Sequence, residues 1–314
     1  MNAPTLVAVD VGGTAIKGSV GSGPPRASDE VVRRPIPADD PPAAVEAVLD
    51  VVVELCDRSG EAAAVGLVVP GLVDDAAGVA RYSENIGWRD VRFRDLVGER
   101  TGVPVGFGHD VRAGGLAERT VGAGHDVDDL LFLPIGAGIS GAMVVEGRML
   151  TNPYGGELGH VDVAGAEDCV CGAHGCLEAV ASASAIARRY TRATGTPVRG
   201  AVDVLAAADR GDNVAVQVWD DAVAAIARGI VIYAGLLAPE VVVIGGGLSR
   251  AGDRLIDPLR TQVHRLVRMQ REPRIVASAL GADAGRVGAA LLAQRALEAA
   301  RPASTAITTK RNGP

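Results

Sequence analysis

Aromatic residues are scarce in this chain: three Phe, two Trp and four Tyr among 314 residues. Valine, alanine and leucine must therefore fill the interior, which suits a buried sheet covered by helices. Basic charge is short as well. The formal net charge is −7, and no basic face is evident that would displace counterions from a nucleic acid. No apolar stretch reaches the roughly 18 residues that span a membrane, and Pro4 and Asp10 interrupt any signal-like N-terminal run. A cytoplasmic location is the expectation. The pattern G-x-x-x-x-G-K-[ST] does not occur, which leaves P-loop nucleotide binding unsupported.

Cysteine is limited to four residues. Cys56 stands alone in an apolar helical pattern and reads as a small buried hydrophobe. The other three crowd into Cys169-Val-Cys171-Gly-Ala-His174-Gly-Cys176. An odd, crowded set of thiols is a poor disulfide framework and a good soft-ligand set for a structural zinc. Such a site takes four ligands in a tetrahedron. His174, inside the loop, and His160, upstream, both qualify as the fourth, and spacing does not choose between them.

Glycine is plentiful, with 41 residues, and its placement is informative. Leu6-Val-Ala-Val-Asp10-Val-Gly-Gly-Thr14-Ala-Ile-Lys17-Gly-Ser-Val20 reads as a strand, a glycine turn and a second strand. Leu131-Phe-Leu-Pro-Ile-Gly136-Ala-Gly138-Ile-Ser-Gly141-Ala-Met-Val-Val145 repeats that layout, with Gly136 falling on Gly12. The chain is long enough for two domains, and the paired hairpins predict two related α/β domains facing a cleft. A third glycine turn, Gly245-Gly-Gly247, follows a strand over 241–244. Glycine turns let backbone N–H groups approach anionic oxygens closely, so three of them predict a nucleotide cleft. Gly136-Ala-Gly138-Ile-Ser-Gly141 also spells G-x-G-x-x-G, but 142–150 reads as a strand and tight turn rather than a helix. The dinucleotide reading therefore fails its context test.

Helices are predicted over 41–56, 182–193, 213–237, 254–268 and 286–300, and strands over 64–69 and 103–107. From Arg301 onward the sequence has no periodicity and reads as a frayed tail. Gly106-Phe-Gly-His109-Asp110-Val-Arg112 joins a strand to a helix starting near Val111. Asp110 there is either an N-cap or a proton acceptor, and the two roles are compatible.

Gly156-Glu157-Leu-Gly-His160 followed by Cys169-x-Cys171-Gly-x-x-Gly-Cys176-x-Glu178, with Asp10-Val-Gly-Gly-Thr14-Ala-Ile-Lys17-Gly and Ile244-Gly-Gly-Gly-Leu-Ser249, resembles the ROK family (repressor, open reading frame, kinase). Its enzymes phosphorylate sugars. The resemblance runs over about residues 5–300 and implies an α/β, actin-like (ribonuclease H-like) duplicated two-domain fold with a cleft. The implied division is a smaller domain over 1–109, a larger domain with the zinc site over 110–285, a closing helix over about 286–300 packed back on the first, and a flexible tail over 301–314.

The implied activity is ATP-dependent phosphorylation of a hexose, glucose to glucose 6-phosphate first. Mannose and N-acetylmannosamine are alternative substrates, and a catalytically silent sugar-binding protein is the alternative class. By the same resemblance His160, Cys169, Cys171 and Cys176 hold zinc, and His174 is a bystander. Asp110 is the general base. Asn85, His109, Glu157, His160 and Glu178 join it around the sugar. Asp10, Gly12, Gly13, Thr14, Lys17, Gly136, Gly138, Gly245, Gly246 and Gly247 surround ATP, which carries Mg²⁺ on its phosphates. The implied partners are the sugar, ATP and a second copy of the chain in a homodimer, without nucleic acid or membrane. The family's repressors carry a helix-turn-helix ahead of the first phosphate motif. Here that motif already begins at Asp10, which is expected to leave no room for one.

Two departures stand out. The family's usual Asn-Asp-x-Asn reads His109-Asp110-Val-Arg112, and Ala137 replaces a usual threonine or serine between glycines. A neutral imidazole donates and accepts as an amide does, but from a larger ring. Sugar choice is the expectation most exposed to that change.

Overall fold

The computed structural model describes residues 3–23 and 30–301. The first half runs β1 (Leu6–Val11), β2 (Ala15–Gly21), β3 (Val32–Pro35), α1 (Pro41–Ser59), β4 (Ala64–Val69), β5 (Leu72–Asp74), β6 (Val79–Tyr82), β7 (Arg89–Val91), α2 (Phe93–Thr101) and β8 (Val105–His109). The rest runs α3 (Asp110–Val121), β9 (Leu130–Pro134), β10 (Ala142–Val145), β11 (Arg148–Met149), α4 (Leu177–Ala181), α5 (Ala183–Thr194), α6 (Ala201–Asp209), α7 (Asn213–Leu237), β12 (Val241–Gly245), α8 (Asp253–Leu266), β13 (Arg274–Ala277) and α9 (Ala284–Ala300). Short 3₁₀ turns occupy Leu158–His160, Gly247–Ala251 and Gly281–Asp283.

The repeat read from the glycine turns is a repeat of topology. One five-stranded sheet has the order β3-β2-β1-β4-β8 and the other β11-β10-β9-β12-β13. In each, the opening strand pairs antiparallel with its hairpin partner and parallel with the strand on its other side. A small third sheet, β5-β6-β7, branches from the first half.

Side chains alternate across each sheet with the two-residue period of a strand. In the second sheet Leu131, Leu133, Val242 and Ile244 join the core built by α4 to α8. Leu130, Phe132, Val241 and Val243 point to the opposite face, where α3 lies on β9 and β10. In the first sheet Val7, Val9, Val65, Leu67 and Phe107 form the large-residue face, under α1 and α2. The reverse face carries Ala8, Gly66, Val68 and Gly106, and α9 crosses it over β1, β4 and β8. Small residues are required there because backbone meets backbone. A Cβ at Gly66 would stand 1.8 Å from the carbonyl oxygen of Ala289, and one at Gly106 2.2 Å from that of Leu292. α9 also packs against α3, so this helix pair forms the seam between the sheets.

Several boundaries differ from the sequence reading for local reasons. The strand expected over 103–107 begins at Val105 and runs to His109, because its parallel register with β4 carries Val69 onto His109. Pro104 lends only its carbonyl to Val65, at 3.0 Å. The helix expected over 182–193 begins at Ala183, with the Ser182 hydroxyl accepting from the Ala185 N–H at 3.1 Å. α2, α4, α6 and the small sheet had no sequence expectation. The expected tail lies, beyond Arg301, outside the described residues.

Candidate active site

The first hairpin carries most of the charge. Asp10, near the end of β1, is 8 % exposed. Lys17 on β2 places Nζ 3.9 Å from its Oδ2 and donates to the carbonyl of Ala282 at 3.4 Å. Gly12 closes the turn by donating to Ala15 O at 2.9 Å, and Thr14 is exposed at its tip. Asn85 flanks the turn, its Nδ2 3.9 Å from where a Cβ on Gly13 would be. The start of α9 closes the other side: a Cβ on Gly285 would sit 2.9 Å from the Asp10 carboxylate. Next to it, Arg286 is fully buried. Its Nη1 donates to Ser19 Oγ at 2.8 Å and its Nη2 to Asp283 Oδ1 at 3.1 Å. Its Nε is buried without a hydrogen-bond partner among the described residues. Burial raises the Asp10 carboxyl above the usual range, Lys17 and Arg286 oppose that rise, and Asp283 adds to it.

β8 delivers His109 and Asp110 to the start of α3. The N-cap of this helix is His109 and not Asp110. His109 has extended dihedrals, φ −79° and ψ 137°, and its Nδ1 accepts from the Arg112 N–H at 3.4 Å. Asp110 is already helical, so its carboxylate folds back only as far as the Val111 N–H, at 2.7 Å from Oδ1. His109 Nε2 lies 3.4 Å from the same oxygen. Burial pushes the Asp110 carboxyl up to about 7, and Asp10 adds to the shift against the Val111 N–H and Arg112. Burial and the Arg112 charge hold the His109 imidazole at about 3, so the ring is neutral at pH 7. Arg112, also buried, binds both oxygens of Asp75, with Nε 3.1 Å from Oδ2 and Nη2 2.8 Å from Oδ1. It also donates to Val73 O at 2.7 Å and to Asn152 O at 3.4 Å.

The second hairpin is lined by backbone. Gly136 donates to Gly138 O at 2.9 Å, and Glu178 Oε2 on α4 accepts from the Ile139 N–H at 2.7 Å. Ala137 is exposed. After β12, Gly246 has φ +72°, and a Cβ there would meet Ile135 O at 2.4 Å, so only glycine fits the turn. Gly247 opens onto a cavity of about 340 Å³ lined by Ala183, Leu205, Trp219 and Leu248. Glu157 is exposed at the head of the Leu158–His160 turn.

His160, Cys169, Cys171 and Cys176 each bring one ligand atom within 4.8 Å of the others. Cys169 Sγ lies 3.5 Å from His160 Nδ1, and Cys171 Sγ 3.7 Å from Cys176 Sγ. Tetrahedral zinc with its usual bond lengths has edges of about 3.8 Å between sulfurs and about 3.5 Å from sulfur to nitrogen. The donor set therefore fits that ion in identity and in size. Burial, with the neighbouring thiols, pushes the Cys176 thiol up to about 12, a shift that a bound cation reverses. His174 stays outside, exposed and 2.9 Å from Asp168.

Arg286, Asp283, Asp75 and Ser19 escaped the sequence reading. A lone arginine inside the small, apolar run Ala284-Gly-Arg286-Val-Gly-Ala-Ala290 was the one available signal, since such a run is a buried face. Asp75 gave none, because its partner lies far along the chain.

Duplicated α/β sheets joined by a crossing helix pair, with glycine turns at the strand ends and a Cys₃His cluster beside them, define the class of protein. The sequence profile of the ROK family matches residues 6–296, and the chain belongs to that family. A glucokinase of Thermotoga maritima is 36 % identical over 305 residues, covering 91 % of this chain and 96 % of the relative. Among solved structures, the ROK hexokinase of Thermus thermophilus is 33 % identical with a TM-score of 0.81, covering 94 % of this chain and 99 % of that one. A ROK glucokinase of Streptomyces griseus in complex with glucose and AMPPNP is 30 % identical with a TM-score of 0.77, covering 93 % and 99 %. The fold is thus α/β of the actin and hexokinase kind. No helix among the described residues is long and apolar enough to cross a membrane.

Proposed function

We propose that this chain transfers the γ-phosphoryl group of ATP to a hexose hydroxyl, with glucose first among the acceptors and Asp110 as the base. The chain is a sugar kinase of the ROK family, closely related to bacterial glucokinases. The observation that carries the assignment of the base is the state of Asp110. It is a carboxylate raised to about 7, at the start of a helix beside Asp10 and the first glycine turn, and so poised to take a proton near neutral pH.

The two sheets are read as two domains meeting near residue 109, with the nucleotide and sugar in the cleft between them. Gly12, Gly13, Thr14 and Lys17 receive the phosphates at one side with Asp10, and Gly136 and Gly138 at the other. Mg²⁺ bound with ATP would supply charge neutralisation at the phosphates, on the side that Asp10 and Lys17 border. Gly245, Gly246 and Gly247 bring the adenosine toward the cavity lined by Leu248 and Trp219. Asn85, Glu157 and Glu178 address the sugar hydroxyls, and His109, whose two ring nitrogens face the Arg112 N–H and Asp110 Oδ1, borders the sugar through the base. Glu178 keeps Oε1 for this task, since Oε2 is engaged by Ile139. His160, Cys169, Cys171 and Cys176 would hold zinc, which would fix the His160 imidazole toward the sugar and so orient a binding residue rather than the reacting atoms. Asp110 takes the hydroxyl proton as the sugar oxygen bonds to the γ-phosphorus, and ADP departs with the electrons of the broken bond.

ADP release measured with glucose, mannose and N-acetylmannosamine tests this reading, with Asp110→Asn as control. Glucose should give the highest kcat/KM, and the substitution should lower it by about 10²–10⁴-fold. Absence of turnover with every hexose would sink the assignment.

A further inference from the structure

We infer that His109 and Arg112 form one interlocked unit that positions Asp110: Arg112 anchors the first turn of α3, and its backbone N–H fixes the tautomer of His109, which in turn faces the base. The inference rests on the reading of Asp110 as that base.

The side chain of Arg112 is fully committed away from Asp110. Asp75 takes it in a bidentate grip, Val73 O takes Nη2 at 2.7 Å, and Asn152 O lies at 3.4 Å from Nη1. A planar guanidinium held by such a fork has little freedom. The first turn of α3 is thereby tied to the β5 segment on one side and to the loop ahead of Glu157 on the other. The same residue's N–H points at His109 Nδ1. A nitrogen that accepts a hydrogen bond carries no proton, so the ring proton of the neutral imidazole sits on Nε2. Nε2 is the atom 3.4 Å from Asp110 Oδ1.

Oδ1 is thus flanked by two N–H groups, that of Val111 at 2.7 Å and that of the imidazole. Oδ2 is left as the atom to receive the hydroxyl proton. Contacts of this length in a ligand-free site shorten when substrate closes it. The two residues also depend on each other electrostatically. The Arg112 charge disfavours a second proton on His109, and a doubly protonated ring would lose the Nδ1 lone pair that caps the helix.

The charges facing Asp110 are Asp10 from β1, His109 from β8 and Arg112 from α3. Lys17, Arg286 and Asp283 stand behind Asp10, and Asp75 behind Arg112. Replacing Arg112 by a neutral residue removes a cation that favours the ionised form of Asp110, so the acid limb of kcat must move to higher pH. Asp75→Asn loosens the guanidinium, keeps its charge and removes an anion, so it should lower kcat without moving the limb to higher pH. A purely structural role for Arg112 would not separate these two variants.

Two measurements on the full chain decide the matter. Side-chain nitrogen NMR of the ligand-free protein at pH 6 should show His109 neutral and protonated on Nε2, with the Arg112→Met variant gaining charged or Nδ1–H ring. Steady-state kinetics should show Arg112→Met and His109→Asn each lowering kcat by about tenfold to a hundredfold at nearly constant KM, the range for misplacement of a reacting group. The double variant, His109→Asn with Arg112→Met, should lose less than the product of the single losses. A His109 that is charged or Nδ1-protonated in the parent, or effects that simply multiply, would overturn the inference. If no hexose is turned over by the parent, the kinase reading fails, while the NMR result still decides the interlock.

Discussion

The two hairpins share topology and almost nothing of their chemistry. At β1–β2 the turn is ringed by side chains: Asp10, Lys17 and Asn85 around it, with Arg286 closing from α9 and Asp283 from the turn ahead of it. At β9–β10 it is ringed by backbone, and the acid that reaches it among the described residues, Glu178, gives one carboxylate oxygen to the Ile139 N–H. The like strand orders give two comparable strand ends where backbone N–H groups could meet anions. Charge stands at one of them and shape at the other. The charged turn lies beside Asp110, and the quiet one lies beside the thiol cluster.

The sharpest test of that asymmetry is Asp10→Asn, which should lower kcat by about 10²-fold, because the carboxylate beside Lys17 that positions its ammonium is lost. Measured with saturating ATP and glucose, a loss under fivefold would erase the distinction between the turns. Removing zinc is the next largest effect, and it should act on the second half alone. Chelation, or Cys176→Ser, should take bound zinc from one per chain to none. It should lower Tm by on the order of 10 °C, because metal-binding energy at such sites is folding energy, and raise the KM for glucose more than that for ATP. Equal changes in both KM values would place the cluster's influence beyond the His160 segment.

Legibility in the sequence followed the same divide. β1, β4, β9 and β12 were readable because both faces are buried, so each is a short continuous apolar run. The candidate metal cluster was readable to three members, since Cys169, Cys171 and Cys176 lie on one loop. Its fourth member was open by spacing, because His160 reaches the thiols through a fold of the backbone that spacing does not encode. The small sheet was missed because β5 and β7 have three residues each, too few to show a period. What the sequence hid most completely is the network around Asp110. Arg112 and Asp75 are partners across 37 positions, and Arg286 meets Ser19 across 267. The cap on α3 was hidden for a subtler reason: Asp is a stronger N-cap residue than His, and only the extended dihedrals of His109 assign it the task.

Asp110 is also where activity and stability should oppose each other. Its carboxyl is raised from 3.8 to about 7 in the folded chain. Between those values the folded state holds a proton that the unfolded state has lost, so stability falls as pH rises through this window. On the proposed role as base, activity should rise over the same interval, because the base must be ionised, and kcat/KM should fall tenfold per unit well below pH 7. Asp110→Asn removes the ionisation. It should therefore be more stable than the parent at pH 8, with the difference closing toward pH 4, while remaining nearly inactive throughout. Thermal melts at both pH values check this, and a variant less stable than the parent at pH 8 would contradict the burial cost assigned to this carboxylate.

The smallest expected effect comes from the quiet turn. Ala137 sits exposed between Gly136 and Gly138, which leaves room for a hydroxyl. Ala137→Ser should add one neutral hydrogen bond to phosphate, which amounts to ~0.5 kcal/mol and a KM for ATP lower by about twofold. Because the gain involves binding in ground state and transition state alike, kcat should stay unchanged. The same change should leave the glucose KM alone, since Glu178 and the zinc loop keep their contacts. A change in kcat larger than that in KM would mean that this turn acts on the transferring phosphoryl group. The two hairpins would then share the chemistry that their present side chains assign to the first.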